Sequence, residues 1–190
     1  MNRLSVQLYP GPVQSAPGDA VLVPVPEDER PLRGDAGLVD WRLVGRVSSL
    51  VADGVYSGKI GDSTLLPGEG LIAAERVLLF GMGPLATLHG RGLERALTLA
   101  GVKLLALKTR TGVLAAPEGV DLEREVATVL LGLGRAVSVV HGSPDLTVVV
   151  PEADRRSSAV RDAWPEVCQT LQGAGVEASL HRLEPEGSPV

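Results

Sequence analysis

Aromatic residues are scarce in this chain of 190 residues: one Phe, two Tyr and two Trp, or 3% of the whole. Its core must therefore be built from Val, Leu and Ala, which supply most of a 44% hydrophobic share. Cysteine is nearly absent. Cys168 alone excludes an intramolecular disulfide and a cysteine-rich zinc site. It lies beside Val167 and Leu171 in an amphipathic segment and reads as a buried structural thiol. The three histidines, His89, His141 and His181, are dispersed and none falls in an H-x-x-x-H pattern, so they read as surface residues and no metal site is expected. No apolar run approaches the roughly 20 residues that span a bilayer. Met1 to Gln7 lacks the continuous apolar stretch of a secretory signal. A cytoplasmic protein without a membrane partner is expected. A basic excess is missing too: 18 Lys and Arg stand against 23 Asp and Glu, and the scattered positive charges argue against nucleic acid.

What is present is a set of short apolar segments punctuated by 23 glycines and 14 prolines. Leu4 to Tyr9 alternates like a half-buried strand, whereas Ala20 to Val25 is continuous, as in a strand covered on both faces. From Asp35 the spacing of Leu38, Trp41, Val44, Val47 and Val51 predicts one helix with these residues as its buried stripe, ended by Asp53-Gly54. Strands follow at Thr64 to Leu66 and Val77 to Phe80. A helix then carries Leu93, Ala96, Leu97, Ala100 and Leu104, and Gly112 to Ala116 forms a strand. The third helix has Asp121 as N-cap, Glu123 and Glu125 at its positive end and Arg135 towards its negative end. Leu146 to Val150 is a buried-type strand stopped by Pro151. Ser157 or Ser158 caps a fourth helix carrying Val160, Trp164, Val167 and Leu171, which Pro165 is expected to kink or restart. Val176 to Leu183 alternates like an edge strand. Two strands followed by alternating helices and strands predict a three-layer α/β/α domain with a mixed, mostly parallel sheet. Residues 1–183 form it, and the tail 184–190 has no reason to fold.

Candidate chemistry is sparse. Gly81-Met82-Gly83-Pro84-Leu85-Ala86 matches G-x-G-x-x-A after a strand, yet no Asp or Glu follows between Glu94 and Glu118 to hold a ribose. A structural strand-to-helix turn is the favoured reading, and no dinucleotide cofactor is expected. Gly58 to Thr64 lacks P-loop order, no G-x-S-x-G elbow occurs, and the acidic cluster Glu27-Asp28-Glu29 beside Arg30 reads as a solvated loop. Gly34-Asp35-Ala36-Gly37, running on to Asp40, is a glycine-bearing loop entering a helix. Either its amides cradle an anion or its glycines fit a tight turn with Asp35 as cap.

Several of these segments, in order, resemble the amino-terminal, non-catalytic domain of leucyl aminopeptidases. The segments are Asp19 to Val25, Glu27 to Leu32, Gly34 to Leu38, Gly58 to Pro67, Arg76 to Pro84, Leu130 to Arg135 and Leu146 to Val150, and the likeness spans Asp19 to Ala153. It implies a macro-domain-like fold. The family's paired-metal carboxylates and its Asn-Thr-Asp-Ala-Glu-Gly-Arg segment match nowhere here, so no catalytic residue carries over and no enzyme activity is expected. Gly18-Asp19 and Gly34 to Asp40 faintly resemble the ADP-ribose loops of macro domains, although Pro24-Val25-Pro26 replaces their polar strand end. The expected role is a stand-alone module acting through protein contacts or self-association, as an assembly or regulatory subunit. The alternative is a binder of ADP-ribose or a related nucleotide. Its site would be drawn from Asp19, Gly34, Asp35, Gly37, Asp40, Gly81 and Gly83.

Overall fold

The computed structural model describes residues 2–28, 30–117, 119–142, 144–151 and 156–183. Residue 29 of the acidic cluster, residue 153 at the end of the resemblance and the tail 184–190 lie outside them. Strand β1 (Asn2–Tyr9) is followed by β2 (Ala20–Val25) and by two short helices, α1 (Gly34–Arg42) and α2 (Arg46–Ala52). Next come β3 (Ser63–Pro67), β4 (Arg76–Gly81), α3 (Gly90–Ala106), β5 (Thr111–Leu114) and α4 (Leu122–Val139). The chain continues through β6 (Asp145–Pro151), α5 (Arg156–Gly173) and β7 (Val176–Arg182).

These strands form one seven-stranded sheet in the order β3-β4-β2-β5-β6-β1-β7, parallel throughout except where β3 runs against β4. The hydrophobic patterns follow from this order. β2 lies between β4 and β5, and all six of its residues are buried. β1 lies next to the edge, and its buried residues Leu4, Val6 and Leu8 alternate with less buried ones. On its more open face Ser5 and Ser179 pair across to β7, Oγ to Oγ at 3.1 Å. Leu22, Leu78, Phe80 and Val148 point to the face covered by α3, α4 and α5. Val21, Val23, Leu79 and Val149 point to the face covered by α1 and α2. The three layers and the mixed, mostly parallel sheet are as expected.

α4 is the middle helix of its layer, and glycines set how closely its neighbours approach. A Cβ on Gly132 would come within 2.8 Å of the Glu94 carbonyl oxygen and 2.9 Å of Leu97 Cβ on α3. One on Gly134 would collide with the Leu171 side chain on α5. The close approach lets Thr98 Oγ1 donate across the seam to the Gly132 carbonyl, at 3.1 Å.

Several local expectations need correction. The helix expected from Asp35 to Val51 is two helices, because the chain turns left-handed at Val44 (φ 57°) and Gly45 (φ 75°). The Gly45 N–H then bonds the Asp40 carbonyl oxygen at 2.9 Å, closing α1. The first part of the expected stripe is also rotated, whereas Val47 is buried and Val51 packs against the same core. Leu38, Trp41 and Val44 are 42%, 72% and 84% exposed, while Asp35, Ala36, Val39, Asp40 and Leu43 face inward. Pro165 lies inside an unbroken α5, on its exposed side, where a carbonyl that lost its N–H can be hydrated. Ser157 is a buried residue of the first turn of α5 and not its cap. At α4, Asp121 occupies the N-cap position but its side chain makes no capping bond; it reaches Arg124 at 3.3 Å instead. Arg135 pairs with Glu94 of α3, and Cys168 is only partly buried.

Gly132→Val is expected to destabilise the domain by about 1–3 kcal/mol, through overpacking against backbone that cannot yield. Thermal melting should fall by roughly 2–12 °C for a chain of this size. An unchanged melting temperature would contradict the close α3–α4 seam.

Candidate functional site

In a parallel sheet the loops at the carboxyl ends of the strands are where ligands settle. Here that end includes residues 26–28 and 30–33 leading into α1, the 82–84 loop after β4, and residues 115–117 and 119–121 before α4. Residues 26–28 and the 82–84 loop are tied together: Asp28 Oδ1 accepts from the Leu85 N–H at 2.8 Å, and the Glu27 N–H donates to the Gly83 carbonyl oxygen at 2.9 Å.

Gly34, Asp35, Gly37, Gly81 and Gly83 all belong to this end of the sheet. Asp35 turns inward from the first turn of α1. Its Oδ2 accepts from the Ala116 N–H at 2.8 Å and from Arg156 Nη1 at 2.8 Å. One carboxylate thus joins α1, the segment after β5 and the start of α5. Asp40, one turn further on, caps the next helix: its Oδ1 accepts from the N–H groups of Val47 and Ser48 at 2.8 and 3.0 Å, and Ser48 Oγ donates to Oδ2. Neither acid presents a free carboxylate to the loops.

The amides of the second glycine loop are likewise occupied. The Gly81 N–H bonds the Asp62 carbonyl oxygen at 2.7 Å, Met82 N–H that of Val25 at 3.0 Å, and Gly83 N–H that of Gly58 at 3.0 Å. Gly81 is glycine because a Cβ would overlap the Lys59 carbonyl. These N–H groups hold the 58–62 turn and the end of β2 against the end of β4.

Asp19 stands at the opposite end of the sheet, just before β2. Its Oδ2 accepts from the N–H groups of Arg110 and Thr111 at 2.8 and 3.0 Å, pinning the start of β5. The Thr111 N–H, above all, holds its carboxyl below the usual carboxylate range, with Arg110, Arg76 and the Arg110 N–H adding and burial opposing. Asp19 therefore does not join the other candidates. Its place before β2, not after it, was the readable sign.

What remains open is the start of α1. No side chain caps it. Among the described residues no acceptor reaches the N–H groups of Gly34, Asp35 and Ala36, and Gly37 already bonds the Arg33 carbonyl oxygen at 2.8 Å. Sequence reading missed Arg156, the cation that neutralises Asp35, because only the fold brings positions 35 and 156 together. It also missed Tyr56, buried beneath α1 and α2 with a hydroxyl that has no hydrogen-bond partner among the described residues. Burial pushes that hydroxyl well above the usual phenol range, with Asp62 adding to the shift and Arg30 opposing it. Near the ends of β5 and β6, between α4 and α5, a cavity of about 20 Å³ is lined by apolar side chains such as Leu114, Val126 and Val150 together with Arg156. It is about the size of one water. Among the described residues no group of three or more His, Cys, Asp or Glu is placed to hold a metal ion, and no helix is long and apolar enough to cross a membrane.

Comparison with known proteins agrees with this architecture. The profile described as "Cytosol aminopeptidase family, N-terminal domain" matches residues 21–137. A "Probable cytosol aminopeptidase" of Pseudomonas syringae pv. tomato is 39% identical over 89 residues, covering 47% of this chain and 17% of that protein. One from Alkaliphilus oremlandii is 21% identical over 129 residues, covering 68% of this chain and 25% of its own length. The chain thus spans a quarter or less of these curated relatives. Among solved structures, a variant of tomato leucine aminopeptidase superposes with a TM-score of 0.62 at 16% identity, covering 90% of this chain and 37% of its own. The Oceanobacillus iheyensis macrodomain solved with ADP gives 0.65 at 12% identity, covering 86% of this chain and 92% of its own. A Trypanosoma brucei macrodomain in complex with ADP-ribose gives 0.60 at 16%, covering 84% and 68%. These likenesses establish a macrodomain-like fold.

Asp19 offers a pH test of its structural role. A carboxyl held low in the folded state contributes stability that is complete above its unfolded value of 3.8 and is lost as pH falls through its folded value. Asp19→Asn should cost about 1–2 kcal/mol at pH 7 and flatten the loss of stability on acidification below about pH 5. Urea melts across pH 2–7 would show this, and parallel pH profiles for parent and variant would contradict it.

Proposed function

Because this chain belongs to the cytosol aminopeptidase family through that family's N-terminal domain, we propose that it is a non-catalytic module working through protein contacts, in an assembly or regulatory role. The observation that carries the reading is how the polar groups at the carboxyl ends of the strands are used. Asp28, Asp35 and Asp40 accept hydrogen bonds from neighbouring backbone, and the Gly81–Gly83 amides donate to it. General acid–base or two-metal chemistry needs such groups converging on an open position. These groups hold loops together instead. The remainder of an aminopeptidase polypeptide or a second copy of this domain is the kind of partner such a module serves.

A second reading, binding of ADP-ribose or a related nucleotide, is favoured by one observation: the uncapped first turn of α1, where Arg33 stands beside the unaccepted amides of Gly34, Asp35 and Ala36. A helix N-terminus of this kind suits a phosphate, and macrodomains of the same fold are known with ADP and ADP-ribose.

Two measurements on the pure protein separate these readings. With zinc or manganese and leucine p-nitroanilide, hydrolysis should stay at background; chelator-sensitive turnover would overturn the non-catalytic reading. In calorimetry, ADP-ribose should give no saturable heat. Saturable heat that Arg33→Glu abolishes would move the assignment to the nucleotide reading.

A further inference from the structure

The outer face of α1 carries exposed apolar and arginine side chains and no exposed acid. Leu38 and Trp41, 42% and 72% exposed and three residues apart on the helix, form one ridge, and Val44, 84% exposed, lies just beyond the helix end. The two acids of the helix, Asp35 and Asp40, are both turned inward and hydrogen-bonded there. The exposed residues from 33 to 44 are therefore apolar, glycine or arginine, within a chain of net charge −5. Arg33 and Arg42 have no ion pair among the described residues, whereas neighbouring Arg46 is held by Glu69 at 2.7 Å. The Arg42 guanidinium lies 5.4 Å from the centre of the Trp41 ring, so cation and aromatic surface are presented together.

Val44 adds an independent sign. A β-branched residue at φ 57° is strained, and glycine would take the position without steric strain. At 84% exposure its side chain gives the fold almost no packing in return. Backbone strain kept without a structural gain points to a use outside the domain.

We propose that this face of α1 docks an acidic segment of a partner protein that carries an apolar anchor. Trp41 is the central contact, flanked by Leu38 and Val44, and Arg33 and Arg42 meet the partner's carboxylates. Exposed Trp and Arg are the residue types that dominate such contacts, and a basic face selects an acidic partner. An anionic lipid surface would also attract arginine and tryptophan. However, α1 is only nine residues long, and three apolar residues offer little to bury in a bilayer. This inference rests on the protein-contact reading and names the surface and the partner chemistry for it.

The test uses the whole protein and a fluorescent helical peptide with Glu on one face and Leu on the other, beside a twin with Lys in place of Glu. Anisotropy should report binding of the Glu peptide and none of the Lys twin. Trp41→Ala and Arg42→Glu should each weaken binding about ten-fold or more, and salt should weaken it progressively. Both variants should melt like the parent, since both side chains are exposed. Val44→Gly should melt higher than the parent yet bind the peptide less tightly, which a purely structural role would not produce. Absent binding, equal binding of the Lys twin, or parent-like binding by Trp41→Ala would overturn the proposal. Protection of Trp41 from iodide quenching by phosphatidylserine vesicles, with no protection by the peptide, would also overturn it in favour of a lipid surface. If the peptide fails while the protein self-associates in sedimentation, the module reading stands and the α1 assignment falls. If the peptide fails and ADP-ribose binds, both fall.

Discussion

The carboxylate of Asp35 fixes how the rest of this end of the molecule is arranged. From the first turn of α1 it accepts the Ala116 N–H beyond β5 and the guanidinium of Arg156 at the start of α5. A buried carboxylate without such partners would carry a large desolvation cost, so helix, strand end and second helix must hold their positions together. Five residues on, Asp40 is bound in the same way to the first turn of α2. At 100° per residue, Asp35, Ala36, Val39, Asp40 and Leu43 fall within an arc of about 140°. With that arc held inward, Leu38 and Trp41 have nowhere to point but outward. The exposed ridge is thus a consequence of two buried acids.

This constraint also explains where the sequence misled. The spacing of Leu38, Trp41 and Val44 is a sound helical period, and periodicity alone assigns it to the core. Long-range partners overrode it: the carboxylates took the inward positions because Ala116, Arg156 and the α2 amides were there to satisfy them. None of those partners is visible from the local pattern around residue 35. Val44 compounds the error, since nothing in its chemistry announces a left-handed turn that glycine would ordinarily take.

Elsewhere the residues spoke plainly. The continuous run Ala20 to Val25 does lie between two strands, and the alternation of Leu4 to Tyr9 does belong to a strand beside the edge, because burial on one face or two is written into the side-chain order. The glycines of Leu130 to Arg135 were legible as family likeness but not as packing; only the fold places Gly132 against α3 and Gly134 against α5. The glycine loop at Gly81 to Gly83 was recognised as a turn, yet its amides were spoken for by Val25, Gly58 and Asp62. An anion-binding pattern and a strand-locking pattern share the same residues, and they separate only when the acceptors are known.

This domain offers two kinds of group outward: the ridge of α1, and the open amides at its start. Heteronuclear NMR of the labelled protein tests most directly which of the two is used, because it follows the Trp41 indole N–H and the amides of Gly34, Asp35 and Ala36 in one experiment. The contact reading predicts that a Glu/Leu helical peptide shifts the Trp41 indole saturably, while ADP-ribose at millimolar concentration leaves all four signals in place. Saturable shifts of the Gly34 to Ala36 amides with ADP-ribose, and a Trp41 signal indifferent to the peptide, would contradict it.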